Sequence, residues 1–82
     1  MLLTVEISMY PLQANYIALI TDFIAKLNTY PELRIVTTPT ATMVVGEYER
    51  VMQTLTDMLR WSYQSHGKAV FVTKFIADYN PD

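Results

Sequence analysis

VEISMYPL, residues 5–12, alternates apolar and polar side chains and then halts at a proline. Successive strand residues point to opposite sides of a sheet, so the spacing predicts a strand with Val5, Ile7 and Met9 on one face and Glu6 and Ser8 on the other. Pro11 has no amide to give to a central ladder, which ends the strand near Tyr10. A carboxylate and a hydroxyl two residues apart then share one side of a sheet, and the function turns on what that side meets.

Beyond Pro11, Ile17, Ile20, Ile24 and Leu27 recur at the three- and four-residue steps of a helix face, with Leu19 and Phe23 widening it. Asn15 is the expected N-cap and Tyr30-Pro31 the expected stop, giving a helix over 16–29. LRIVTT (33–38) and residues 40–45 read as two β-branched strands joined by a turn at Thr38 to Thr40, since Pro39 interrupts them. Gly46 breaks the second, and Glu47 and Glu49 place negative charge at the positive end of a new helix. That helix runs to about Ser65 with Val51, Leu55, Met58, Leu59 and Ser62 inward, and Gly67 closes it. AVFVTKFI (69–76) is a last strand, and 78–82 reads as a frayed polar tail.

The order strand, helix, strand, strand, helix, strand is that of an α+β ferredoxin-like βαββαβ sandwich in one domain, residues 1–82. Right-handed crossovers give a four-stranded antiparallel sheet of order 4-1-3-2, with two helices on one face and the other face open. If Val5 and Ile7 face the helices, Glu6 and Ser8 lie on the open side. There they are expected to meet Thr40, Thr42 and Val44 of the third strand, whose Ala41, Met43 and Val45 go inward, and Val36 and Thr38 of the second. The fourth strand reads either way, but Lys74 is placed outward because a buried, unpaired ammonium is costly.

Composition narrows the function classes. Of 82 residues, 51% are apolar and 17% charged, which suits a packed domain rather than a disordered chain. Six basic against eight acidic side chains leave a net charge of -2, so nothing draws this surface to nucleic acid or anionic lipid. The chain has no cysteine, which removes disulfides, thiolate nucleophiles and thiol metal ligands together. No Ser-His-acid set, metal-ligand cluster or phosphate-cradling glycine loop is visible, so no catalytic residue, metal or resident cofactor is expected. The N-terminus has neither a basic leader nor an unbroken apolar run, and a cytoplasmic protein without a membrane partner is expected.

A chain this short buries only about 60–65% of its surface, so a second copy of itself is the natural cover for the open sheet. Covering Glu6 without giving it a partner costs roughly several kcal/mol, and a bound polar or cationic ligand removes that cost. His66, beside Gly67 at a helix end, reads as a capping residue rather than a catalyst. Tyr10 and Tyr16 stand where they can line a cleft.

VEISMYPL, TPTATMVVG (38–46) with its acidic helix start, and VFVTKFIAD (70–78) together resemble the YkoF-type thiamine- and hydroxymethylpyrimidine-binding family, including its single-copy members. The resemblance spans the chain in order. It implies a ferredoxin-like fold, pairing of two domains through their sheets into a homodimer with a tetramer open, and an aminopyrimidine ligand, thiamine or its precursor. Glu6, Ser8, Thr40 and Thr42 are the first-choice ligand contacts, with Thr38 and Lys74 at the rim. A carboxylate and hydroxyls suit a ring nitrogen and an exocyclic amine, and the thiazolium is a fixed cation suited to acids and aromatic faces.

Two other readings stand beside this one. In a structural or regulatory module, the open sheet binds another protein and Glu6, Ser8 and the threonines are ordinary solvated or cross-strand polar residues. An enzyme of the ferredoxin-like monooxygenase type also uses sheet-paired dimers, but this chain carries no matching motif.

Overall fold

The computed structural model describes residues 1–81. The elements are β1 (Leu2–Pro11), α1 (Tyr16–Leu27), β2 (Arg34–Thr37), β3 (Thr42–Glu47), α2 (Tyr48–His66) and β4 (Ala69–Ala77). One antiparallel sheet has the order β2-β3-β1-β4, the expected ferredoxin-like topology. No helix among the described residues is long and apolar enough to cross a membrane.

Leu3, Val5 and Ile7 of β1 are buried under the helices, where they join Phe23 and Leu27 of α1 and Val51, Leu55 and Met58 of α2. Burying one such aliphatic side chain is worth about 1.5–3 kcal/mol, so this layer is the main cohesive contact of the fold. The helical stripes are rotated relative to the sequence expectation. In α1 the buried residues are Leu19, Phe23 and Leu27, while Ile17 is 66% exposed; in α2 Thr54 is buried and Leu59 is 48% exposed. Both alternatives satisfy helical spacing, and contact with the sheet selects between them. Phe23 is held by its ring contact with Phe71 of β4, centroids 5.3 Å apart.

Helix α2 starts as its charge pattern implies. The Glu47 carboxylate accepts from the amides of Glu49 (3.0 Å) and Arg50 (3.3 Å), satisfying donors that a first turn leaves free. Hydrogen bonding with the Glu49 side chain, the Arg50 and Glu49 amides and the N-terminal ammonium hold the Glu47 carboxyl below its usual range, against an opposing effect of desolvation. Asn15 is the N-cap residue of α1 but makes no side-chain capping bond; its carbonyl takes the amides of Ala18 and Leu19 instead. At the other end of α2, Gly67 adopts φ +79° and ψ -152°, a positive-φ conformation that favours glycine but is not the left-handed helical turn expected.

Gly46 does not end β3 but lies inside it. A Cβ there would stand 2.5 Å from Leu33 Cδ2 and 3.3 Å from Val51 Cγ2, so the glycine lets the β2 entry and α2 close onto the strand. This fixes the facing of β3. Gly46 pairs with Leu3, Val44 with Val5 and Thr42 with Ile7, so these three point toward the helices and Met43 and Val45 point away, the reverse of the expected parity. A one-residue slip inverts every side chain in a strand, and the run Thr42 to Val45 carries no polar alternation that could have prevented the misreading.

The C-terminal residues also depart from expectation. Asp78 donates its amide to the Leu2 carbonyl (2.7 Å), adopts φ +57°, and turns the chain across the sheet so that Thr4 Oγ1 donates to the Tyr79 carbonyl at 2.6 Å. Thr4 and its β3 partner Val45, both on the side away from the helices, are consequently buried. Residues 78–81 form a strap over one end of that face, and position 82 of the expected frayed tail lies outside the described residues.

Candidate functional site

The expected site residues divide between the two sides of the sheet. Glu6, Ser8 and Lys74 are on the uncovered side, as expected, because Glu6 pairs with Lys74 and Ser8 with Val72 across β1 and β4. Lys74 Nζ lies 3.6 Å from Glu6 Oε1, both side chains well exposed. Such a pair is worth about 0.2–1 kcal/mol, so a ligand can take over the carboxylate at little cost. Glu6 and Ser8 stand about 7 Å apart along the strand. Their neighbours are apolar: Met43 opposite Glu6 on β3, Val36 beyond it on β2, and Val70 and Val72 on β4, the last two about half exposed.

Thr42 is not on this side. It is 5% exposed and faces the helices opposite Ile7, a correction that follows from the Gly46 register. Thr38 and Thr40 lie outside the strands in the β2–β3 turn, where Thr38 Oγ1 donates to the Ala41 carbonyl at 3.0 Å. Val44, expected on the open side, is fully buried. The three threonines instead line a cavity of about 170 Å³ between α1 and the sheet, shared with Ile7, Met9, Ile20 and Phe23. Its outer neighbour is a shallow hollow bordered by Tyr10, Pro11, Tyr16 and Thr40.

One bond links the two sides. Ser8 Oγ donates to the Thr40 carbonyl at 3.3 Å, which brings the turn to the edge of the acid-bearing face. Met43 and Val45 are the β3 residues that sequence reading missed on that face; the signal that could have found them is Gly46, since the position crowded by a helix must point inward. Chemically, the uncovered side offers the Glu6 carboxylate, the Lys74 ammonium and the Ser8 hydroxyl among apolar neighbours, with Tyr10 and Arg34 farther out, and the second cavity is walled by threonine, aliphatic and aromatic side chains.

The fold is shared with solved structures of low sequence identity. A protein from Thermotoga maritima, named as a candidate thiamine biosynthesis/salvage protein, superposes with a TM-score of 0.83 at 23% identity, over 98% of this chain and 85% of that one. A Streptococcus pneumoniae protein gives 0.82 at 23% identity over 96% and 89%. A hypothetical protein from Methanocaldococcus jannascii gives 0.78 at 16% identity over 99% and 84%. No family model and no curated protein matches the chain.

Proposed function

We propose that this protein is a non-catalytic binder of thiamine or its hydroxymethylpyrimidine moiety, acting as a homodimer paired through its sheets, in cytoplasmic vitamin salvage or transport. The observation that carries the reading is Glu6: a carboxylate on a central strand, on the side that the helices leave uncovered, with Met43, Val36 and Val72 around it and an exposed lysine as its ion-pair partner. Facing a second sheet, that carboxylate needs a cationic or amine-bearing partner, and an aminopyrimidine with a thiazolium supplies both. Ser8 adds a hydroxyl, and Lys74 and Thr40 form the rim on either side. The naming of the Thermotoga structure agrees with this ligand class.

A second location for the same ligand is favoured by the threonine cavity. Thr38, Thr40 and Thr42 line a space of about 170 Å³ with Tyr16 in the adjoining hollow, an arrangement suited to a neutral ring. Thermal denaturation of the wild type, Glu6→Gln and Thr42→Val with thiamine separates the two. At a hundredfold excess over its dissociation constant, a ligand stabilises the fold by about 2.7 kcal/mol. The proposal expects that shift in the wild type and in Thr42→Val, and its loss in Glu6→Gln. Loss only in Thr42→Val moves the ligand to the cavity, and no shift in the wild type at millimolar thiamine refutes binding.

A further inference from the structure

The uncovered side of the sheet has a tyrosine at each end, Tyr79 on the strap and Tyr10 near the end of β1, and the two ends differ in what lies beneath them. At the strap end the floor is already covered. Thr4 is 2% exposed and Val45 6%, under residues 78–81, which are fastened by the Asp78 amide on the Leu2 carbonyl and the Thr4 hydroxyl on the Tyr79 carbonyl. At the Tyr10 end the floor is open: Val72 opposite Ser8 and Val70 opposite Tyr10 are about half exposed, as is Tyr10 itself. That end also continues past the strand, into a hollow of about 390 Å³ that Tyr10 shares with Tyr16, Pro39 and Thr40.

Glu6 and Lys74 stand between these ends, opposite each other across β1 and β4. An ionised carboxylate only accepts hydrogen bonds and an ammonium only donates them, so the two together match a ring that carries an amine next to a ring nitrogen. A fixed cation fits less well at the same place, because the Lys74 ammonium lies 3.6 Å from the carboxylate and repels it. The Tyr10 end offers the alternative: an exposed aromatic ring whose cross-strand neighbour is Val70 rather than a lysine. Tyr10 is the next open-side residue of β1 after Ser8, about 7 Å further along the strand.

Resting on the ligand class proposed from Glu6, we propose that the site is directional: the aminopyrimidine sits at Glu6 and Lys74, the strap bars the way toward Thr4, and the thiazolium of thiamine lies over Val72 with the Tyr10 ring as its aromatic partner. A single methylene joins the two rings, so once the pyrimidine is seated the second ring has to take one direction along the strand. Only the direction away from the strap has an exposed floor. A cation over an aromatic face is drawn to the ring quadrupole, most strongly where water is excluded. Tyr10 is thereby a specificity-determining residue. It reads the thiazolium, which hydroxymethylpyrimidine lacks, while Glu6 reads the ring that the two ligands share.

Titration of the wild type, Tyr10→Leu, Tyr10→Phe and Tyr79→Leu with thiamine and, separately, hydroxymethylpyrimidine tests this direction. Tyr10→Leu should weaken thiamine about fivefold, by loss of the cation–π contact, and leave hydroxymethylpyrimidine unchanged. Tyr10→Phe keeps the ring and should keep the thiamine affinity, and Tyr79→Leu should alter neither ligand. In the wild type, the thiazolium protons should show nuclear Overhauser contacts to the Tyr10 ring and none to Val45 or Tyr79. Equal weakening of both ligands in Tyr10→Leu, undiminished thiamine affinity in that variant, selective loss of thiamine in Tyr79→Leu, or thiazolium contacts at Val45 or Tyr79 overturns the proposal while leaving the ligand class in place. If neither ligand binds the wild type, the ligand class itself is refuted and the direction falls with it.

Discussion

β1 and β4 lie side by side, paired over nine residue pairs, and both are rich in apolar side chains. Their burial is opposite. Leu3, Val5 and Ile7 of β1 are at most 4% exposed, whereas Phe75, directly across from Val5, is 52% exposed. Helices α1 and α2 pack over β1 and β3, and neither spreads to cover the far half of β4. Position beneath the helices, rather than strand composition, decides which apolar residue contributes to the stability of the chain and which is left exposed.

That contrast can be broken first at its strongest point. Ile7→Ala, in the buried layer, should cost about 3 kcal/mol of unfolding free energy in urea, as a large-to-small core substitution does. Phe75→Ala should cost less than about 1 kcal/mol in dilute protein, because little of the ring is buried within one chain.

A smaller effect tests the glycine that sets which way β3 faces. Gly46→Ala should lower stability by about 1–2 kcal/mol, since the added methyl meets Leu33 at 2.5 Å but a flexible side-chain end can yield. The fold should survive with its register unchanged. A neutral or stabilising result would mean that Leu33 is not packed against this strand as described.

The acid limb of stability tests the start of α2. The folded-state pKa of Glu47 is lowered, so its contribution is present above the unfolded value near 4.5 and is lost as pH falls through the folded value. Thermal midpoints measured from pH 6 to pH 3 should fall less steeply in Glu47→Gln than in the wild type over that window. Lys74→Met should have the smallest effect, about 0.2–1 kcal/mol and diminishing with added salt, as an exposed ion pair does.

The sequence carried the element order because its punctuation is chemical. Pro11 and Gly67 stop elements at the places where a missing amide or a positive-φ residue is needed, and the acid at Glu47 caps a helix. Glu6 and Lys74 were legible as open-side residues for the same reason, since a charge has few stable positions on a two-faced sheet. Thr42 to Val45 were not, because four consecutive residues that tolerate either face leave the register to tertiary contact, here the approach of Leu33 and Val51 to Gly46. The strap at 78–81 was also hidden: its determinants are one positive φ at Asp78 and a hydroxyl at Thr4, 75 residues from its acceptor.

Calorimetric titration of the wild-type chain with thiamine and, separately, hydroxymethylpyrimidine addresses the central claim most directly. The account predicts saturable heat with at least one of the two, abolished in Glu6→Gln while the circular dichroism of the fold is unchanged. Flat titrations with both at millimolar concentration, or full binding retained by Glu6→Gln, would contradict a ligand held by the acid on the uncovered sheet.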